Sequence, residues 1–186
     1  MRKLAVFNSI TLDGYFTGVN GDMSWAHKSD PEWNAFVQGN AKGASEMLFG
    51  RVTYDMMAGW WPTPRVIEMA PAVAQAMNSA PKVVFSRTLD QASWNNTRLV
   101  KSDIAEAVRK LKAEPGPEMV IMGSGTIVSQ LAEAGLIDEF QVVVNPIVLG
   151  EGKSMFEGVR KKLALKRTQA RTFENGCVVL WYEPGT

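Results

Sequence analysis

The sequence predicts a three-layer α/β domain whose mixed central sheet is parallel through its middle and antiparallel at its C-terminal edge. Short apolar runs, typical of strands buried on both faces, alternate with segments that place apolar residues on one helical face. Two later β-rich runs, residues 163–173 and 177–182, flank Asn175-Gly176, a dipeptide typical of a tight hairpin turn. Alternating strands and helices form parallel sheets, whereas a terminal hairpin adds an antiparallel edge.

The first strand is predicted at residues 4–10, and its early start favours a central place in the sheet. Residues 11–29 then form a long loop. Loops of this length in compact domains are usually functional or disordered, and aromatic residues such as Tyr15, Phe16 and Trp25 argue against disorder. Asp30 before Pro31 is typical of an N-cap followed by proline at the first helical position.

A strand at residues 46–49 leads directly into Gly50, and a helix follows. A strand that ends in glycine at a helix start presents backbone amides to an anion, here with the side chains of Arg51 and Thr53 nearby. The proline-rich run 60–64 ends this helix, and residues 70–80 form a small one. Residues 82–86 are the next strand, and Ser102 is expected to cap a helix that continues to residue 112.

Residues 118–148 form the clearest alternation, in which a strand, a glycine turn, a helix and a second strand follow one another. The all-apolar run 119–122 precedes Gly123-Ser124-Gly125, and Gly135 ends the helix. A strand that leads into a helix through glycines exposes N–H groups at a positive helix end, which suits an anion such as a cofactor pyrophosphate. Close packing of helix and strand would explain the same small residues.

Composition and charge exclude several classes of protein. The 186 residues suit a single domain, 1–186, and no apolar run approaches the ~18 residues that span a bilayer. The net charge of +1 offers no basic stripe for nucleic acid. A single cysteine, Cys177, forms no intrachain disulfide, and with no signal peptide evident the cytoplasm is the expected compartment. His27 is the only histidine, so neither a histidine-based metal site nor a Ser-His-Asp triad is expected.

Four segments in order resemble the dihydrofolate reductase-like family: SITLDGYFTG, LFGRVTYD, VVFSRTL and IMGSGTIVSQLAEAGLIDEFQVVVNPIVLGEGKSMF. The resemblance covers nearly the whole chain and is closer to the branch related to the C-terminal reductase domain of riboflavin biosynthesis. It implies the three-layer dihydrofolate reductase-like fold, with a mixed, mostly parallel sheet and a C-terminal antiparallel hairpin. It also implies NADPH as the cofactor.

The resemblance assigns cofactor contacts to four places in the chain. The phosphates are expected at the helix start formed by Gly50, Arg51 and Thr53. The adenosine 2′-phosphate is expected at Ser86 and Arg87. The pyrophosphate and nicotinamide side is expected at Gly123, Ser124, Gly125 and Thr126. The loop from Leu12 to Trp25, which includes Gly18, is expected to close over the nicotinamide.

On the substrate side, the resemblance implies that an acid on the first long helix supplies or steers a proton. Asp30 and Glu32 are the candidates, and Phe36 stands where an aromatic residue stacks on the substrate ring. Asp13 and Trp25 are further expected contacts to the substrate. Negative charge at a helix N-terminus would also explain both acids. The chain departs from riboflavin reductases, which carry a lysine where Phe7 stands and a serine where Thr11 stands.

These observations predict an NADPH-dependent reductase that passes hydride to a C=N or C=O of a small pterin- or aminopyrimidine-like heterocycle. The alternatives are a nucleotide- or metabolite-binding protein without turnover and a purely structural dimer module. A homodimer is expected, because relatives of the riboflavin reductase type tend to be dimeric. The closing hairpin and residues 142–148 also carry more apolar residues than a single sheet edge should leave in water.

Overall fold

The computed structural model describes residues 1–26, 30–43 and 45–185, so His27 lies outside the described residues. The strands in the described part are β1 (Leu4–Thr11), β2 (Tyr15–Thr17), β3 (Glu46–Gly50), β4 (Lys82–Phe85), β5 (Thr97–Val100), β6 (Met119–Met122), β7 (Glu139–Asn145), β8 (Lys153–Ser154), β9 (Leu165–Thr172) and β10 (Val178–Pro184). The α-helices there are α1 (Pro31–Lys42), α2 (Arg51–Trp60), α3 (Pro64–Met69), α4 (Pro71–Ser79), α5 (Ile104–Ala113) and α6 (Gly125–Glu133).

Eight of the strands form one mixed sheet in the order β5-β4-β3-β6-β1-β7-β10-β9. Neighbours from β5 to β7 pair in parallel, whereas β10 runs antiparallel to both β7 and β9. The predicted mixed sheet with a C-terminal antiparallel hairpin is therefore confirmed. The predicted internal position of the first strand is also confirmed, because β1 lies between β6 and β7.

Alternate residues of each strand point to opposite faces of the sheet, and helices cover both faces. On one face α5 and α6 pack against side chains that include Val6, Leu48, Val83 and Ile121. On the other face α2 and α4 pack against Met47, Phe49 and Val84. Helix α1 lies over the C-terminal hairpin, where its Trp33 and Phe36 join a third cluster. These layers place the helix starts that follow β3 and β6 side by side.

The structure differs from the sequence-based expectations in three places. Within the expected loop 11–29, β2 pairs with β8 in a small separate sheet. The expected cap Ser102 was wrong, because α5 begins one residue later and Asp103 accepts the hydrogen bond of the Glu106 N–H at 2.9 Å. The run 60–64 does end α2, but Pro64 then begins α3, which was not expected.

Within the described ranges, the helices are all too short or too polar to cross a membrane.

Candidate functional site

The candidate site, named the crevice below, is the region at the carboxyl ends of β3 and β6 where α2 and α6 begin. The two strands are neighbours in the sheet, with Leu48 opposite Ile121. The Gly50 N–H donates to Ser124 Oγ at 2.8 Å, and the Ser124 N–H donates to Thr53 Oγ1 at 3.0 Å. These two hydrogen bonds tie the start of α2 to the glycine turn, Gly123-Ser124-Gly125. The sequence-predicted residues Gly50, Thr53, Gly123, Ser124 and Gly125 therefore do come together.

The first amides of both helices lack side-chain caps. Gly50, the N-cap of α2, has no side chain, and the side chain of Ser124, the N-cap of α6, does not cap its helix. The opening N–H groups of a helix have no intrahelical acceptor, and the positive end of the helix dipole lies at the same place. Two such ends in one crevice form a setting that favours a bound anion. Thr126 lies in the first turn of α6 with its side chain exposed.

Glycine is required in the turn for reasons of space and conformation. Gly123 has φ +63°, and a Cβ there would lie 2.8 Å from Thr53 Cγ2. A Cβ on Gly125 would lie 2.6 Å from Cε1 of Phe16, whose ring covers the first residue of α6. Backbone atoms of the turn can therefore approach their neighbours more closely than any residue with a Cβ would allow.

Asn8 of β1 holds the turn from below and was not among the predicted site residues. Its Oδ1 accepts the Gly123 N–H at 2.6 Å, and its Nδ2 donates to the Gly123 carbonyl at 3.2 Å. Asn8 is buried, with 4% of its surface exposed. A buried amide between apolar neighbours needs partners, so the single polar residue among residues 4–8 was the signal that could have identified it.

Arg51 connects the start of α2 to the turn that follows β4. Its Nη1 donates to Thr88 Oγ1 at 2.6 Å, and its Nε donates to Asp55 Oδ2 at 3.4 Å. Ser86 Oγ accepts the N–H groups of Thr88 at 3.2 Å and Leu89 at 3.0 Å, which fixes the same turn. The structure thus brings Arg51 next to the segment that contains Ser86 and Arg87. Thr88 was missed by the sequence-based prediction.

A hollow of about 460 Å³ opens beside this turn at the carboxyl ends of β4 and β5. Its lining includes Ser86, Arg87, Asp103 and Gln130. The predicted residues Ser86 and Arg87 therefore line a space large enough for part of a ligand, and the side chain of Arg87 is exposed.

The predicted acids lie at the start of α1, and each has a partner within the protein. Asp30 Oδ1 accepts the Trp33 N–H at 2.8 Å as the N-cap, while Asp30 Oδ2 is buried without a hydrogen-bond partner in the described part of the chain. Glu32 Oε1 accepts from Arg171 Nη2 of β9 at 3.0 Å. Asp30 consequently has one carboxylate oxygen that no described group uses.

Phe36 lies in an aromatic cluster between α1 and the hairpin. Its ring centroid is 5.5 Å from that of Trp33, 5.1 Å from that of Phe173 and 6.1 Å from that of Trp181. The ring is only partly buried. The cluster fixes Phe36 on the outer end of the sheet.

The remaining predicted residues lie in the segment after β1. Trp25 is buried, and its Nε1 donates to the Asp22 carbonyl at 3.2 Å. Gly18 is buried, and its N–H donates to the same carbonyl at 2.8 Å. The Asp13 carboxylate accepts hydrogen bonds from Thr11 and from the backbone of Leu149 and Gly150. These bonds, chiefly that from the Thr11 hydroxyl, hold the pKa of Asp13 below its ordinary value.

The described residues contain no group of three or more histidine, cysteine or carboxylate side chains that could hold a metal ion.

Sheet order, layers and paired helix starts define an α/β domain of the dihydrofolate reductase-like class. The RibD C-terminal domain family model matches residues 2–179, and the chain belongs to that family. Membership supports a reductase-type role.

Two curated proteins of Bacillus subtilis (strain 168) are similar to the chain along most of their length. The uncharacterized protein YyaP is 31% identical over 181 residues, which cover 97% of this chain and 94% of YyaP. The uncharacterized protein YwjB is 24% identical over 170 residues, which cover 90% of this chain and 91% of YwjB.

Solved structures confirm the fold. A putative riboflavin biosynthesis protein from Shewanella sp. PV-4 superimposes with a TM-score of 0.74 at 22% identity, with full coverage of both chains. A diaminohydroxyphosphoribosylaminopyrimidine deaminase/5-amino-6-(5-phosphoribosylamino)uracil reductase from Thermotoga maritima superimposes with a TM-score of 0.70 at 16% identity. That match covers 99% of this chain and 57% of the Thermotoga chain.

Proposed function

We propose that this protein is an NADPH-dependent reductase that acts on a C=N or C=O of a small heterocyclic substrate. One observation carries the proposal: two uncapped helix starts, α2 and α6, are joined by the hydrogen bonds among Gly50, Thr53 and Ser124. Such a pair of positive helix ends suits the two phosphates of a dinucleotide. The absence of a Cβ at Gly123 and Gly125 lets the backbone of the turn approach the side chains of Thr53 and Phe16 closely.

We assign the adenosine end of NADPH to the neighbouring hollow. Arg87 offers a planar guanidinium suited to a phosphate dianion, and Ser86 offers a hydroxyl on the same rim. In open α/β sheets, ligands bind outside the carboxyl ends of the strands, which is where this hollow lies. Arg51, already bonded to Thr88, would then stand between the pyrophosphate and the 2′-phosphate.

The chain itself would position the reactants and exclude water, since NADPH supplies the hydride when it is bound. Asp30 is the acid that we propose steers a proton, because its buried Oδ2 has no hydrogen-bond partner among the described residues. Glu32 is less suited, since Arg171 pairs with it. The substrate class we propose is pterin- or aminopyrimidine-like. The Thermotoga protein is named a 5-amino-6-(5-phosphoribosylamino)uracil reductase, so 5-amino-6-(5-phosphoribosylamino)uracil is the first compound to test.

A second candidate is a nucleotide- or metabolite-binding protein without turnover. The contacts of Asp30 and Glu32 favour this candidate, because both residues stabilise the fold. Asp30 caps α1, and Glu32 links α1 to β9. In this case the crevice would hold NADPH, but no described carboxylate would serve as a proton donor.

Titration with NADPH and NADH, followed by a turnover assay, tests the proposal. The wild type should prefer NADPH, and Arg87→Ala should lose most of that preference, about tenfold or more, with NADH affinity nearly unchanged. Arg98→Ala, which removes another exposed arginine, is the matched control and should leave the preference intact. Equal affinity of the wild type for both cofactors at low salt would refute the 2′-phosphate assignment.

NADPH oxidation with a panel of pterins and aminopyrimidines separates the two candidates. Oxidation that depends on a panel compound supports the reductase. Tight NADPH binding without oxidation by any compound supports the binding protein. Absence of NADPH binding contradicts both.

A further inference from the structure

A second hollow, named the rear hollow below, has a volume of about 220 Å³ and lies at the end of the sheet away from the crevice. It is enclosed by the end of α6, the start of β7, the segment that leads into β9 and the end of β10. Strands β3, β6, β1 and β7 are parallel, so the first residues of β7 lie at the edge opposite the crevice. The residues that line the rear hollow include Ala132, Ile137, Phe140, Lys162, Leu163 and Pro184. The proposed function uses none of them.

The interior of the rear hollow is apolar. Ala132, Ile137 and Phe140 line it and are buried. Leu163 and Pro184 are exposed and stand at its open side. An apolar protein cavity of ~150 Å³ is large enough to bind benzene. The rear hollow, at about 220 Å³, therefore has room for one aromatic ring and a short chain.

The chain beside this apolar interior is strongly basic. Residues 158–171 contain six lysine and arginine side chains and no acidic one. Lys162 lines the rear hollow itself, and its side chain is exposed. It forms no ion pair with any residue that the structure describes. Lys166 and Arg167 follow in the exposed strand β9. An apolar cavity with an unpaired cation at its opening is suited to a ligand that has an apolar body and one negative charge.

Acidic groups nearby determine where the negative charge of a ligand can lie. Glu133, at the end of α6, accepts the N–H groups of residues 160–161 at 3.1 Å and 3.2 Å. These hydrogen bonds hold the pKa of Glu133 below its ordinary value, so the side chain is an anion at neutral pH. The negative end of the α6 dipole lies at the same place, and Glu183 stands opposite Lys166 in the β9–β10 ladder. An anionic group is therefore favoured beside Lys162 and disfavoured beside the end of α6.

We propose that the rear hollow is a binding site for a small amphiphilic anion, a carboxylate joined to one aromatic ring by a short chain. The ring fills the apolar interior, and the carboxylate pairs with Lys162. Both features are needed, because a neutral ring gains only the burial of apolar surface and a carboxylate without a ring gains only an exposed ion pair. The inference is independent of the proposed function, since the crevice lies at the other edge of the sheet.

A titration with 3-phenylpropionate, followed by the NMR shifts of backbone amides at low ionic strength, tests the site. The compound should saturate shifts at Ile137, Phe140 and residues 162–165. It should bind about threefold to fivefold more tightly than the neutral 3-phenylpropanol, which is the range of an exposed ion pair. It should also bind at least about tenfold more tightly than propionate, which has no ring. Absence of shifts at these residues, or equal affinity for the acid and the alcohol, would overturn the inference.

Two exposed positions separate the charge from the apolar contact. Lys162→Glu should remove the preference for 3-phenylpropionate over 3-phenylpropanol and leave the affinity for the alcohol nearly unchanged. Arg109→Glu makes the same change of charge on the exposed side of α5, outside the rear hollow, and should keep the preference. Leu163→Gln should weaken the binding of both compounds by about threefold or more. A preference in Lys162→Glu equal to that of the wild type would contradict the pairing of the carboxylate with Lys162.

Competition with NADPH distinguishes the rear hollow from the crevice. A saturating concentration of NADPH should leave the affinity for 3-phenylpropionate unchanged, because the two ligands bind at opposite edges of the sheet. Displacement of 3-phenylpropionate by NADPH would place the compound in the crevice and overturn the inference. If the wild type binds no NADPH, the proposed function fails, and the titrations of Lys162→Glu and Leu163→Gln still decide whether the rear hollow binds the anion.

Discussion

Ser124 and Thr53 determine which backbone amides of the crevice remain available to a ligand. Each uses its hydroxyl oxygen to accept an N–H of the opposite segment, Gly50 for Ser124 and Ser124 for Thr53. The Gly50 and Ser124 N–H groups are thereby satisfied, whereas the N–H groups that open α2 and α6 have no side-chain cap among the described residues. The same two contacts hold the helix starts at a fixed separation, which suits a ligand with two adjacent phosphates.

Arg51→Ala is expected to weaken NADPH binding by ~1.5–3 kcal/mol, the range of a charge-assisted hydrogen bond. The guanidinium follows the N-cap of α2 and already reaches Thr88 in the turn after β4. Calorimetric titration measures the change. Arg65→Ala on α3 is the control and should bind as the wild type does. Equal affinity of Arg51→Ala and wild type would place the phosphate contacts elsewhere.

Lys82 lies outside the candidate site, and its ammonium group is buried at the start of β4. Nζ donates to the carbonyls of Asn78 at 3.2 Å, Ala80 at 2.7 Å and Asn95 at 3.1 Å, and lies 4.4 Å from the Trp94 ring centroid. Burial lowers the pKa of Lys82 to about 8. The folded chain therefore releases this proton at a lower pH than the unfolded chain, whose lysines titrate near 10.4.

The free energy of unfolding is accordingly expected to rise between pH 8 and about 10.4, because the unfolded state binds more protons throughout that window. Below pH 8 lysine is charged in both states, and the cost of burying the charge is present in full. Urea unfolding of wild type and Lys82→Met at several pH values measures the effect. The free energy of unfolding is plotted against pH for each protein, and the difference between the two slopes gives the contribution of Lys82. Identical slopes would contradict the lowered pKa of Lys82.

At the scale of elements, the turn between β6 and α6 is the most constrained segment of the site. Gly123 has φ +63°, and the position of a Cβ there is blocked by the Thr53 side chain. Gly123→Ala should destabilise the fold by about 1–3 kcal/mol, the usual cost of a left-handed non-glycine residue. Gly59→Ala is the matched control, because Gly59 lies in α2 with open space around it, and it should stabilise by about 0.5–1 kcal/mol. Thermal unfolding of both variants tests this contrast.

The elements also show what could be predicted from the sequence. Strands β1, β3, β4 and β6 are local apolar runs, and the glycines that follow β3 and β6 identify the two helix starts. The short strands β2 and β8 could not be predicted, because only a partner far along the chain stabilises them. Thr88 was missed for the same reason, because its bond to Arg51 joins segments that are distant in sequence.

At the scale of the whole molecule, the outer strand β9 limits how copies of the chain can associate. All eight of its residues are exposed, and they include Lys166, Arg167 and Arg171. Charged side chains on an edge strand oppose direct pairing with a second edge. Apolar surface remains outside β9 at Val148, which is 63% exposed, and at the first residue of β9, Leu165, which is 38% exposed.

We therefore expect a homodimer whose contact is made by side chains rather than by pairing of β9. Light scattering should give a mass of twice 20.5 kDa at micromolar concentration. Val148→Arg should shift the protein toward the monomer, whereas Ile67→Arg, on the exposed surface of α3, should not. A mass of 20.5 kDa for the wild type would exclude the dimer.

The place of β6 between β3 and β1 has a consequence for synthesis on the ribosome. β1 and β3 are complete once residue 50 has been made, but the strand that separates them begins at residue 119. The 68 intervening residues, 51–118, take roughly 3–14 s at a translation rate of 5–20 residues per second. Throughout that interval the edges of β1 and β3 that later pair with β6 remain open. In refolding experiments with pulsed exchange, the amides of β1 and β3 should gain protection together with those of β6. Until then a chaperone has the best opportunity to bind the growing chain.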